Sequence, residues 1–114
     1  MKISPPLSAA AFVAVAFAAA SPAAAQAFNC RYAKLPAEMA ICNDSELASA
    51  DEEMASEYAR LINTSPAWAS AQIQDEQRDW LKGRNACGYD MQCIMGEYRW
   101  RFQQFGEWRD RLGE

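Results

Sequence analysis

Histidine is absent from the chain. That removes the side chain most used as a general base near neutral pH, and the commonest metal ligand with it. A close Cys-x-x-Cys pair is missing too. The four cysteines are Cys30, Cys42, Cys87 and Cys93, and gaps this wide do not suit a structural zinc site. Neither a metal nor a cofactor is therefore expected. No serine stands in a nucleophile-elbow motif: Ser45, Ser49, Ser56, Ser65 and Ser70 all fall in capping or helical contexts. The carboxylate pairs Glu52-Glu53 and Asp75-Glu76 are adjacent in sequence, so on a helix they point in different directions and do not face each other for acid–base work. No catalytic residue is assigned, and an enzyme is not expected. Basic residues are the minority, 11 against 15 acidic, for a net charge of −4. Nucleic acid needs a basic stripe, so that partner class is excluded. The acidic balance suits a basic protein partner and equally suits plain solubility.

An extended apolar run occurs near the N-terminus. Lys2 supplies a positive charge, Leu7 to Ala20 form the run, Ser21-Pro22 break it, and Ala23-Ala24-Ala25 offer small residues for cleavage. This is the layout of a secretory signal peptide. The run is shorter than the roughly 20 residues a membrane span requires. The expected division is 1–25 as signal peptide, cleaved after Ala25, and 26–114 as the mature domain; Ala25-Gln26-Ala27 gives a rival site after Ala27. Phe28 and Asn29 before Cys30 are too large or too polar for a lipoprotein signal. The expected product is periplasmic or secreted, with no membrane span after cleavage. An even cysteine count in a small exported domain implies two disulfides.

Helix breakers divide the remainder. Pro36 opens a short helix ending near Cys42, at a position where its missing N–H costs nothing. Asn43 and Glu46 read as the capping pair of a long helix that lasts to Ile62. Ser65 reads as the cap, and Pro66 as the first residue, of a second long helix ending near Ala86. Gly88-Tyr89-Asp90 form a turn, and Asp90 caps a third long helix lasting to about Leu112. Apolar residues recur at helical spacing: Leu47, Met54, Tyr58 and Leu61; Ile73, Trp80 and Cys87; Ile94, Tyr98, Phe105, Trp108 and Leu112. One stripe per helix and short connections predict an all-α fold, an antiparallel three-helix bundle with a short N-terminal helix. Cys30–Cys42 and Cys87–Cys93 are the expected bridges. The other pairings require the short helix to sit against the Cys87 corner.

Four polar residues interrupt the stripes: Asp51, Gln77, Arg84 and Arg101. A buried charge must be paired, so Asp51 is expected to meet Arg101 first and Arg84 second. Such a cluster either fixes helix register or forms a polar site between helices. On the outside, Glu46, Glu53 and Glu57 share one face of the first long helix, either as a solvated face or as a partner-binding one. Trp100 lies off its stripe, where it either anchors an interface or covers the short helix. Trp68 and Trp108 are expected near the same bundle end.

Taken together, Phe28-Asn29-Cys30, Ala40-Ile41-Cys42, Glu46-Leu47, Asp51, Tyr58, Gln77-Arg78-Asp79-Trp80-Leu81, Arg84, Cys87-Gly88, Cys93 and Tyr98-Arg99-Trp100-Arg101 resemble the lysozyme inhibitor LprI-like family. Order and spacing are kept over almost the whole mature stretch. The resemblance implies an exported, helical binding protein, possessing no catalytic residues, whose partner is a basic lysozyme-type cell-wall hydrolase. The chain lacks the lipoprotein signal of the family's lipid-anchored form. The alternative role is an envelope structural or stress-related protein without lysozyme binding.

Overall fold

Beyond residue 35 the prolines stand only where helices begin, and alanine, leucine, methionine, glutamate, glutamine and arginine fill the stretches between them. These are strong helix formers. The computed structural model describes residues 28–114. It contains a 3-10 turn, Cys30–Tyr32, followed by α1 (Pro36–Asn43), α2 (Ser45–Thr64), α3 (Ala67–Ala86) and α4 (Met91–Arg111). No strand occurs among the described residues. The expected signal peptide, 1–25, and both cleavage sites lie outside them.

Helix ends show how the sequence sets the boundaries. α2 is capped by Asp44, whose Oδ2 accepts from the Leu47 N–H at 2.9 Å, and not by Asn43. Asn43 is still inside α1, its Nδ2 donating to the Met39 carbonyl at 2.9 Å. The last turn of α2 extends to Thr64, past the expected end at Ile62. Nor is Ser65 the N-cap of α3; it is the extended C-cap of α2, its backbone N–H donating to the Leu61 carbonyl, and Pro66 takes the N-cap position of α3. The Ser65 hydroxyl is buried without a hydrogen bond. Asp90 caps α4 as expected, accepting from the Cys93 N–H at 3.0 Å. Gly88 has φ +62°, which L side chains rarely adopt; this lets the chain turn sharply after α3.

The three long helices form an up-down-up bundle, α4 packing against both α2 and α3, while α1 lies across α2 and α3. The interior is built from Ala37 and Ile41 of α1, Leu47, Met54 and Leu61 of α2, Ala69, Ile73 and Trp80 of α3, and Ile94, Tyr98, Phe105 and Trp108 of α4. Tyr58, Cys87 and Leu112, read as stripe residues, are only partly buried and pack on the margin. Cys30 is joined to Cys42 and Cys87 to Cys93. The first bridge ties the N-terminal turn to the end of α1. The second closes the turn between α3 and α4.

Candidate functional site

Asp51, Gln77, Arg84 and Arg101 are all buried, between 0 and 8% exposed. Their pairing differs from the expected one. Asp51 Oδ1 accepts the Tyr98 hydroxyl at 2.7 Å and Arg84 Nη1 at 3.4 Å; Arg101 is not its partner. Two physical reasons account for this. Side chains on a helix lean toward its N-terminus, so Arg84, near the end of α3, reaches back to the level of Asp51. Arg101 instead finds acceptors on α3. Its Nε donates to Gln77 Oε1 at 2.8 Å and its Nη2 to the Ile73 carbonyl at 3.3 Å. Nη1 donates to Gln104 Oε1 at 3.0 Å and lies 3.6 Å from the Glu76 carboxylate.

Aromatic faces complete both arginine environments. The Arg84 guanidinium lies 5.3 Å from the Phe28 ring centre and 5.7 Å from that of Trp80. That of Arg101 lies 4.5 Å from Phe105. Burial pushes the Arg101 pKa below its ordinary value, opposed by the Glu76 carboxylate and then by Tyr58. Polar groups so enclosed and so fully bonded fix which helix faces which. They present no open surface to a ligand.

Burial, then the charge of Asp51 and its hydrogen bond, push the Tyr98 phenol well above its ordinary range, against a smaller lowering by Arg84. The folded state therefore keeps a proton that the unfolded chain loses above about pH 10. Stability is intact below that pH and falls as pH rises beyond it, by about 1.4 kcal/mol per unit from this group. Urea midpoints across alkaline pH should show this slope, and Tyr98→Phe should remove it. A slope unchanged in the variant refutes the assignment.

The surface residues singled out from the sequence do not form one patch. Glu46 borders a groove between the starts of α2 and α4, together with Asp44, Leu47, Met91, Gln92, Met95 and Arg99. Glu53 is exposed. Glu57 is not a free rim charge: it pairs with Arg109 of α4 and lies 3.8 Å from Arg60. Trp100 is 52% exposed and does not cover α1. It lines a groove on the other flank of α4, with Glu76, Asp79, Trp80, Glu97 and Gln104. Glu97 and Gln104, three residues before and four after Trp100, share its face by helical spacing, a signal already present in the sequence. Asp79 comes from α3 and only the packing brings it near. Trp68 is exposed and tilts against Trp108 with ring centres 6.1 Å apart, at the shared end expected for them.

Among the described residues no three cysteine, aspartate or glutamate side chains converge as a metal site, and no helix is long and apolar enough to cross a membrane. No curated protein and no solved structure matches the chain. The family model described as lysozyme inhibitor LprI matches residues 29–109, which takes in both disulfides, the buried polar cluster and most of α4. By that match the chain belongs to the LprI lysozyme inhibitor family.

Proposed function

We propose that the protein is an exported inhibitor that binds a lysozyme-type cell-wall hydrolase without catalysis of its own. The family match over residues 29–109 carries this reading. Two features of the chain support it. Two disulfides suit an oxidising compartment, in keeping with residues 1–25 as a leader cleaved after Ala25, residues 26–114 as the mature domain, and a periplasmic or secreted location. The net negative charge suits a basic enzyme. Enzymes of this class work through two carboxylates in a cleft, and a rigid helical body that occludes the cleft is enough to stop them.

Turbidity of a bacterial cell suspension exposed to lysozyme reports the activity directly. With the purified, oxidised protein in excess, lysis should slow in proportion to the protein added and nearly cease at saturation. Lysis at the uninhibited rate throughout, across a panel of lysozymes, overturns the inhibitor role and leaves the envelope role without lysozyme binding in its place.

A further inference from the structure

The groove between α3 and α4 is walled by aromatic rings and edged by carboxylates. Its volume is about 260 Å3, below the roughly 300–1,000 Å3 of small-molecule sites and suited to a single long side chain. Its inner wall is fixed in place. Trp80 is 5% exposed, its indole N–H donates to the Glu97 carbonyl at 2.7 Å, and its ring meets Tyr98 edge-on at 5.1 Å. Gly83 lets Glu97 lie close to α3: a Cβ there would stand 3.2 Å from Glu97 Oε1.

The charges in the groove are of one sign. Glu76, Asp79 and Glu97 line it, and among the described residues no cation does. Glu76 is engaged by the Trp108 indole N–H at 2.8 Å and by Arg101. Asp79 has Lys82 at 3.9 Å, both side chains more than 80% exposed, a contact worth little in water. The Glu97 carboxylate makes no ion pair or side-chain hydrogen bond among the described residues. Beside these acids stands the half-exposed ring of Trp100, a face that attracts cations. A guanidinium is flat enough to stack on indole while it bonds a carboxylate, which an ammonium does less well.

We propose that this groove receives an arginine side chain from a surface loop of the partner protein, stacked on Trp100 and paired with Glu97 and Asp79. Identifying that partner as a lysozyme rests on the inhibitor reading; the arginine groove does not.

Two experiments separate these claims. In the first, the 15N-labelled oxidised protein is titrated with a tetra-arginine peptide, a tetra-lysine peptide and a tetra-citrulline peptide. The indole N–H signal of Trp100, assigned through Trp100→Phe, should shift saturably with tetra-arginine, less with tetra-lysine and not with tetra-citrulline. An unmoved Trp100 signal with tetra-arginine, or equal shifts with all three, overturns the arginine groove.

In the second, binding kinetics to a basic lysozyme are measured for wild type, Trp100→Ala, the pair Asp79→Asn with Glu97→Gln, and Glu52→Gln, an exposed α2 carboxylate outside the groove, as a control. Trp100→Ala should raise Kd at least tenfold through faster dissociation. The charge pair should slow association and weaken its salt dependence, and Glu52→Gln should match wild type. Melting curves confirm that each variant is folded. Wild-type kinetics in both groove variants overturn the groove while sparing the inhibitor reading. A wild type that binds no lysozyme, yet whose Trp100 signal responds to tetra-arginine, overturns the lysozyme as partner and supports the groove.

Discussion

Asp51→Ala is expected to lower the unfolding free energy by about 3–5 kcal/mol. The carboxylate lies fully buried, with Tyr98 at 2.7 Å and Arg84 at 3.4 Å. Removing it leaves the buried Arg84 guanidinium without its carboxylate partner and the Tyr98 hydroxyl without its acceptor, and an uncompensated buried charge is the costliest of these losses. Asn85 Oδ1 at 2.9 Å and the rings of Phe28 and Trp80 still surround Arg84, but none of them is anionic. Asp51→Asn separates the two contributions. It retains an acceptor for Tyr98 and drops the charge, so it should be less damaging than alanine while still clearly destabilising. Urea unfolding of both variants gives the measurement. A loss within experimental scatter for alanine would falsify the view that Asp51 holds the bundle together.

Reduction of both disulfides should have an effect of similar size. Each bridge closes a short loop, with sequence separations of 12 and 6, and each is worth about 2–3 kcal/mol by the loop-entropy account. Small domains typically hold only 5–15 kcal/mol in total, so losing both removes a large share. The consequences should be uneven. Opening Cys30–Cys42 frees the N-terminal turn, and with it Phe28, from the Arg84 guanidinium. Opening Cys87–Cys93 loosens only the turn between α3 and α4. Hydrogen exchange on the reduced protein should therefore rise first in α1 and at the α3–α4 corner. The melting temperature should fall markedly; an unchanged curve, with both bridges shown to be broken, means that helix packing suffices without them.

The helices could be read from the sequence because their limits are chemical. Pro36, Asp90 and the Gly88 turn mark ends wherever the chain is placed. Depth could be read as well: charges at stripe positions must be buried if the stripe is, and Asp51, Arg84 and Arg101 are. Pairing could not. It depends on how far a long side chain reaches along the axis and on which acceptors the facing helix offers. Arg84 reaches Asp51 across the α2–α3 seam, and Arg101 finds its acceptors on α3 and on its own helix. The Glu57–Arg109 contact joins residues 52 apart, across a seam whose register no local pattern sets. Trp100 was legible as an off-stripe ring, and Glu97 and Gln104 share its face by spacing, but the α3 wall opposite them is a product of packing.

The two bridges also bear on how the chain reaches its oxidised state. Four thiols can pair in three ways, and the observed way joins each cysteine to its nearest neighbour along the chain. In an unfolded polymer, encounter between two points becomes rarer as the segment separating them lengthens. Both other pairings require contacts across the long stretch between Cys42 and Cys87. Random collision already favours the native bridges over every competitor, so oxidation can precede helix docking without trapping a wrong isomer. Refolding from the reduced, denatured chain should need an oxidant and little thiol reshuffling.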